Sequence, residues 1–196
     1  DAVGGAALFK DIISGSSSSS PAGLTNINGT LYFRASASGT GSELFKSDGT
    51  SAGTTMVKDI YSGSAASTPG NFVLLGSQIL FSATDPTYGT ELWKTDGTTA
   101  GTTLLADVNT ATADASIAQT VVMGGKLYFF ATDTTHGAEL WSSDGTTAGT
   151  SLVVDYRSGV TGSTPTNMLA IGSTLYFSAT NGTTGSELVK SDGTAA

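Results

Sequence analysis

Cysteine is absent from the 196 residues of this chain, so disulfide bonds and thiolate metal sites are excluded. A single histidine, His136, leaves too few partners for a zinc site or a serine–histidine–aspartate triad. No apolar run approaches the ~20 residues that a transmembrane helix needs. The sequence does not begin with Met and carries no signal-peptide pattern, so we expect a mature or excised segment.

Charge is also scarce. Charged residues make up 12% of the chain, against an ordinary share of about 25%, and Ser, Thr and Gly supply the polarity instead. Eight Lys and Arg face sixteen Asp and Glu, which gives a net charge of −8. The chain therefore lacks the basic face that nucleic acid or an anionic membrane surface requires. Such a composition is typical of secreted and surface proteins.

What the sequence does contain is a repeat of 48 residues, present four times without insertion or deletion. The motif Ser/Thr-Asp-Gly-Thr begins at Ser47, Thr95, Ser143 and Ser191. A glutamate stands four residues before each motif, at Glu43, Glu91, Glu139 and Glu187. A column of aspartates keeps the same spacing, at Asp11, Asp59, Asp107 and Asp155. We therefore predict one domain over residues 1–196, with repeats at about 1–52, 53–100, 101–148 and 149–196.

Each repeat predicts four short strands and no helix. In the second copy the strands are expected at Asn71–Leu75, Gln78–Ala83, Glu91–Lys94 and Thr102–Val108. No segment shows a helical period of 3.6 residues over a useful length. Short turns at Gly76-Ser77 and at Asp-Gly-Thr tolerate positive φ, and strands joined by such links are antiparallel neighbours.

The second strand of each repeat indicates how the units pack. Ile79-Leu80-Phe81 and its equivalents are apolar on both faces, so neighbouring units must cover both sides. We therefore predict an all-β fold, a β-propeller of four four-stranded antiparallel blades. The last blade lacks an outer strand, and we expect the N-terminal strand Ala7–Ile12 to complete it and close the ring, which removes two exposed edges. A dimer that forms an eight-bladed ring is the alternative.

The segment Glu91–Thr102 reads ELWKTDGTTAGT, and Glu139–Thr150 matches it closely. The last copy departs from this pattern, with Val189 in place of the tryptophan. The motif resembles the ELWxxDGTxxGT repeat of bacterial secreted and cell-surface proteins. The resemblance covers essentially the whole chain and implies an extracellular repeat module, without any reaction to carry over.

The repeated carboxylates have structural interpretations. We expect the Asp-Gly-Thr aspartates to stabilise turns, with calcium binding as the alternative. The Asp11 column is expected to cap loops. The Glu43 column is expected to form solvated or edge pairs with Lys46, Lys94 and Lys190. We predict no metal site and no cofactor.

The candidate binding surface is a rim of two loop sets, represented by Ser62–Gly70 and Asp85–Gly89, since variable loops on a rigid scaffold usually carry binding. The candidate ligand-binding residues are Asn71, Gln119, Asn167, Tyr88, His136, Asp85 and Asp133.

We expect a non-enzymatic module at the bacterial cell surface or in the extracellular medium, with a structural or adhesive role. The alternative is a lectin-like propeller with one weak carbohydrate site in each blade. Glycans, other surface proteins and self-association are the expected partners.

Overall fold

The computed structural model describes residues 5–110 and 112–194, and these residues form an all-β structure. The predicted domain also includes residues 1–4, 111 and 195–196, which lie outside the described residues. The first eight strands are β1 (Ala22–Ile27), β2 (Thr30–Ser36), β3 (Ser42–Ser47), β4 (Thr55–Lys58), β5 (Gly70–Leu75), β6 (Gln78–Asp85), β7 (Gly89–Thr95) and β8 (Thr103–Ala106). The remaining strands are β9 (Ala118–Met123), β10 (Lys126–Asp133), β11 (Gly137–Ser143), β12 (Ser151–Val154), β13 (Thr166–Ile171), β14 (Thr174–Ala179) and β15 (Glu187–Ser191). No helix in this part of the chain could cross a membrane.

Each repeat forms its own antiparallel sheet, and the strands pair in chain order. The fourth strands β4, β8 and β12 lie just beyond the predicted repeat bounds and are counted here with the repeat whose sheet they complete. The first three sheets, β1–β4, β5–β8 and β9–β12, have four strands, and the fourth, β13–β15, has three. The register between the third and fourth strands recurs, since Lys46 pairs with Thr55 and Ser142 pairs with Ser151. The predicted four-stranded meander is therefore confirmed for three repeats.

The apolar core lies between consecutive sheets. On β6, Phe81 faces a cluster that includes Leu44 of the first sheet. The adjacent Leu80 faces a cluster that includes Phe129 of the third sheet. Phe81 is 1% exposed and Leu80 is fully buried. Because successive side chains of a strand point to opposite faces, the continuous apolar run is explained by a sheet that is covered on both sides.

Hydrogen bonds also link each sheet to the next. Lys46 Nζ of the first sheet donates to the Gly97 carbonyl of the second, at 2.8 Å. Between the second and third repeats, Thr147 Oγ1 donates to the Leu105 carbonyl at 2.7 Å. The first strands of the four sheets, which we call the inner strands, contact one another in the order β1, β5, β9 and β13. Successive repeats are therefore held in a fixed and repeated relation.

The Asp-Gly-Thr motif forms the turn between the third and fourth strands. Asp96 Oδ1 accepts hydrogen bonds from Thr98 Oγ1 at 2.7 Å and from the Thr98 backbone N–H at 2.8 Å. These bonds lower the pKa of Asp96. Gly97 has a φ of +85°, which L side chains rarely adopt. The same hydrogen bonds recur at Asp48, Asp144 and Asp192, so the turn interpretation is confirmed.

The predicted closure by the N-terminal strand is wrong for the described residues. Ala7–Ile12 forms no strand, and the fourth sheet ends at β15. The N-terminal segment instead lies on the first sheet, where Lys10 Nζ donates to the Ser51 carbonyl at 3.0 Å. Ile12 packs there against Phe33 and Phe45. Apolar contacts with the first sheet therefore hold the segment away from the edge that it was expected to complete.

Two glycines of the Asp-Gly-Thr turns allow backbone strain to be separated from packing. Gly49 and Gly97 have φ of +88° and +85°. A Cβ on Gly49 would meet no atom within 4 Å, whereas one on Gly97 would lie 2.6 Å from Tyr32 Oη. We expect Gly49→Ala to lower the free energy of unfolding by about 1–2 kcal/mol through strain alone. Gly97→Ala should cost more, as measured by chemical denaturation, and equal losses would contradict this view of the contact between sheets.

Candidate functional site

A buried glutamate lies on the third strand of each four-stranded sheet. Glu43 and Glu91 are fully buried and Glu139 is 1% exposed. The expectation of solvated or edge pairs with lysine is therefore wrong for these three glutamates, whereas Glu187 is exposed. The carboxylates accept hydrogen bonds from backbone N–H groups instead, which meets the requirement that a buried charge be hydrogen-bonded.

Glu43 and Glu139 each hold both ends of a long loop, whereas Glu91 accepts hydrogen bonds from the start of its loop. The long loops are residues 59–69, 107–117 (described except for residue 111) and 155–165, and each leads from the fourth strand of one sheet to the first strand of the next. Glu43 accepts a hydrogen bond from the Ile60 N–H at 2.7 Å, at the start of the first long loop. It also accepts from the Ser67 N–H at 2.9 Å and from Ser67 Oγ, near the end of that loop. One side chain thus fixes the position of eleven residues of backbone.

The second repeat lacks one of these donors. Glu91 accepts from the Val108 and Asn109 N–H groups at 2.6 and 3.2 Å, but Ala115 stands where the other long loops have Ser67 and Ser163. Burial raises the pKa of Glu91 to about 8. Burial also raises the pKa of Glu139, although Ser163 Oγ donates to that carboxylate at 2.6 Å. The second long loop is therefore held by the least well satisfied carboxyl group.

The long loops pack on a second set of loops at the same end of the sheets. These short loops are residues 37–41, 86–88, 134–136 and 180–186, each between a second and a third strand. The Gly41 N–H donates to the Gly63 carbonyl at 3.1 Å, and the Thr90 N–H donates to Asp114 Oδ1 at 2.7 Å. The two predicted loop sets therefore form one continuous surface, which we name the loop rim.

Two of the candidate binding residues shape the short loops. Asp85 Oδ1 accepts from the Thr87 and Tyr88 N–H groups at 2.8 and 2.7 Å. Asp133 Oδ1 accepts from the Thr135 N–H in the same way, at 2.8 Å. These are side chain-to-backbone turns, so the two aspartates define the loop conformation. The same turn presents Tyr88 at the surface with 36% of its area exposed.

His136 and Asp133 form the ion pair of the loop rim, with 2.7 Å between Nδ1 and Oδ2. The hydrogen bond with Asp133 raises the pKa of His136. Burial alone would raise the pKa of Asp133, but hydrogen bonds from the side chain and backbone of His136 outweigh it and lower that pKa. The His136 contribution to stability is therefore complete below its ordinary pKa of 6.5 and is lost as pH rises through the higher folded value.

The predicted amides lie elsewhere, at the start of the inner strands. Asn71, Gln119 and Asn167 have φ of 55°, 54° and 58°, and Gly23 has 66° at the same position of the first repeat. Asn71 Nδ2 donates to Ser82 Oγ at 3.1 Å and to the Ile117 carbonyl at 3.0 Å, so this amide already links two repeats. Gln119 and Asn167 stay predicted ligand-binding residues.

The aspartate column retains unused hydrogen-bonding capacity. One buried carboxylate oxygen of each of three residues has no hydrogen-bond partner: Asp59, Asp107 and Asp155. Burial, and then the charge of Asp85, raises the pKa of Asp107. Within residues 5–110 and 112–194, no three His, Asp or Glu side chains come together in a group that could hold a metal ion.

Sequence reasoning missed the role of the glutamate column because glutamate is rarely buried, and the groups that donate to Glu43 are 17 to 24 residues distant in an irregular loop. A usable signal was present, since Ser67 follows Glu43 by 24 residues and Ser163 follows Glu139 by the same interval. A fixed carboxyl–hydroxyl spacing across a loop indicates a contact between the two ends of that loop.

No protein-family model matches the chain, and no curated protein is similar to it. A crystal structure described as a "putative exo-beta-1,3-galactanase" from Bifidobacterium bifidum s17 has a TM-score of 0.46 at 13% identity, and the match covers 87% of this chain and 66% of that one. An endo-1,4-beta-xylanase from Bacteroides thetaiotaomicron VPI-5482 has a TM-score of 0.41 at 14% identity, over 89% and 69% of the two chains. The chain thus spans just under two thirds of the first of these structures.

Both similar structures carry the names of glycoside hydrolases. The expectation that this chain is not an enzyme is therefore corrected and is not retained. Likeness at this distance transfers no activity, substrate or residue role to the chain.

The contact between long and short loops can be tested with two equivalent glycines. A Cβ on Gly41 would collide with the backbone of Ala65 and Ala66, whereas one on Gly185, at the same position of the fourth repeat, would meet nothing within 4 Å. We expect Gly41→Ala to lower the free energy of unfolding by about 1–3 kcal/mol, because overpacking forces the loops apart. Gly185→Ala serves as the control and should change it little. Equal effects in urea denaturation would contradict the packing of the loop rim.

Glu91 lacks the serine hydroxyl donor that Glu43 and Glu139 have, and this difference predicts that the free energy of unfolding depends on pH. A carboxyl with a folded pKa of about 8 stabilises the fold fully below its ordinary value of 4.5, and this contribution is lost as pH rises to about 8. Ala115→Ser should supply the missing hydroxyl donor, lower the pKa of Glu91 and stabilise the protein by about 1.5 kcal/mol at pH 8. The gain should be smaller at pH 4.

The reciprocal variant Ser163→Ala serves as the control for Ala115→Ser. It removes the donor to Glu139 and should destabilise the protein more at pH 8 than at pH 4. Unfolding curves of both variants at the two pH values provide the measurement. A pH-independent gain for Ala115→Ser would show that the hydroxyl does not reach the carboxylate.

Proposed function

We propose that this chain is an interaction module of the ELWxxDGT-repeat type, in a secreted or cell-surface protein, that binds its partner through the loop rim. The observation that carries this proposal is the anchoring of each long loop by a buried carboxylate and by the adjacent short loop. A loop that is already ordered loses little conformational entropy when it binds a partner. The loop rim therefore has the preorganisation that a binding surface needs.

The repeat also fixes the distance between equivalent surfaces. Three long loops are anchored in nearly the same way on sheets that follow one another in a regular array. A partner with repeated determinants would meet several equivalent sites at once, and such multivalent binding multiplies weak affinities. We propose that the sheets are the blades of a propeller-like array, which is supported by two-sided burial of the second strands.

A carbohydrate partner is the second candidate, and Tyr88 favours it. This residue is 36% exposed on the loop rim, beside the Asp85 turn. An aromatic ring with polar neighbours presents an apolar face together with hydrogen-bonding groups, as a sugar ring does. The His136–Asp133 pair supplies a comparable set of polar atoms on the next repeat.

A binding screen against glycans and intact bacterial cells tests the proposal. The double variant Tyr88→Ala/His136→Ala should weaken adhesion at least about tenfold, because the second and third repeats would each lose the ring that they present on the loop rim. Ser51→Ala, at the opposite end of the sheets, should leave adhesion unchanged. A carbohydrate partner would be identified if the double variant loses adhesion and free sugar inhibits the adhesion of the parent protein. Adhesion that is unaffected by the double variant, or affected equally by Ser51→Ala, would reject the loop rim as the binding surface.

A further inference from the structure

The fourth sheet has an outer face that no other sheet covers. Ile171 on this face is 61% exposed. Its equivalents in the other sheets are 7% exposed in each case, because the next sheet covers them: Ile27, Leu75 and Met123. A position that is apolar in every repeat and buried in three of them indicates that the fourth is built to be covered as well.

The first sheet has the complementary uncovered face. Leu24 is 62% exposed, whereas Met168, at the same position of the fourth sheet, is 8% exposed. Gly49 is exposed, whereas its equivalents Gly97 and Gly193 are buried under the preceding sheet. The uncovered face of the fourth sheet therefore corresponds to the face that each earlier sheet packs against its successor. The uncovered face of the first sheet corresponds to the face that each later sheet packs against its predecessor.

The fourth sheet also lacks an outer strand. A groove of about 520 Å³ runs along β15, and Phe177, Val189, Val154 and Tyr156 contribute to its apolar lining. Leu188 on β15 is 78% exposed, whereas its equivalent Leu44 is fully buried. An exposed strand edge beside an apolar groove is a template for strand addition.

The N-terminal segment has the sequence of the missing strand. Residues 7–10 read Ala-Leu-Phe-Lys and align, at the 48-residue spacing, with Thr-Met-Val-Lys of β4. Leu8 is 83% exposed and Phe9 is 53% exposed. In the register of the first three sheets, Ala7 would pair with Lys190 and Leu8 with Val189. Leu8 would then enter the apolar groove, where its equivalent Leu104 packs in the second repeat.

The exposed carboxylate of the fourth repeat indicates the same complement. Glu187 is exposed, and within residues 5–110 and 112–194 no group donates a hydrogen bond to it. Its equivalent Glu43 accepts from Ile60, Tyr61 and Ser67. At the 48-residue spacing these donors correspond to Ile12, Ile13 and Ser19 of the N-terminal segment. The segment therefore carries both the missing strand and the missing donors.

We propose that two copies of this chain associate head to tail, with residues 7–10 of one copy forming the fourth strand on β15 of the other. The first sheet of one copy then covers the fourth sheet of its neighbour, in the relation that consecutive sheets have within the chain. Within one copy the segment packs on the first sheet, so the complement of β15 comes from a second copy. Such a heterologous contact forms a ring if the rotation closes and a filament if it does not. This inference does not depend on the ligand of the loop rim.

Cysteine crosslinking tests the register, because the chain has no cysteine of its own. Ala7→Cys and Lys190→Cys on separate copies should give a disulfide-linked heterodimer when the two proteins are mixed and mildly oxidised. The internal pair Ser142→Cys/Ser151→Cys has the equivalent register within one sheet and is the positive control. With Ala7→Cys and Lys190→Cys in a single chain, a ladder of linked copies is expected. A crosslink confined to the monomer, or no crosslink while the control forms, would overturn the proposal.

Sedimentation over a range of concentrations tests the energetics. Leu8→Asp and Glu187→Gln should each raise the dissociation constant at least about tenfold without lowering the melting temperature of the monomer, since both residues are exposed there. Val160→Asp is the matched control, because Val160 is 73% exposed in a long loop and should leave association unchanged. A parent chain that stays monomeric, or an equal loss with Val160→Asp, would reject the head-to-tail contact.

Discussion

The buried carboxylate on the third strand is the interaction on which the arrangement of the repeats depends. A buried carboxyl group destabilises the fold unless hydrogen bonds replace its hydration, and here the backbone of a long loop provides those bonds. The loop held by Glu43 leads directly to β5, so the same carboxylate determines where the second sheet begins. Glu91 and Glu139 perform this role for the third and fourth sheets. A glutamate at the same position of the third strand in three sheets therefore links the conformation of a long loop to the packing of the next sheet.

The fourth repeat shows how strongly the role of a residue depends on its surroundings. Glu187 has the same neighbours in sequence as Glu43, but no long loop folds over it and its carboxylate remains in water. Lys46, which was expected to pair with a glutamate, instead donates to the Gly97 carbonyl, and Lys58 likewise donates to the Thr102 carbonyl. The charged residues of this chain thus act mainly on backbone groups, and the ion pair of the loop rim involves its single histidine.

The strands and turns could be predicted from the sequence because their causes are local. Asp96, Gly97 and Thr98 contain within three residues the carboxylate, the positive φ and the hydroxyl that form the turn. The two-sided burial of β6 likewise followed from the apolar run Ile79–Phe81. The burial of the glutamates could not be predicted in this way, since the donors are 17 to 24 residues distant and belong to an irregular loop. The location of Ala7–Ile12 was missed for a related reason: alignment with β4 identifies a strand-forming sequence but does not say which sheet it contacts.

The apolar core is divided among the interfaces between consecutive sheets, and this division also determines which sheets unfold locally most easily. An array in which each unit contacts only its neighbours behaves as a series of coupled elements, and each element is stabilised by its interfaces. The second and third sheets have two such interfaces, whereas the first and fourth sheets have one each. Amide hydrogens of β6 and β10 should therefore exchange with solvent only through the largest opening events, and those of β14 through smaller ones. We therefore expect a gradient of local stability in the isolated chain from its centre to its ends, even though its four repeats share one pattern of landmark residues.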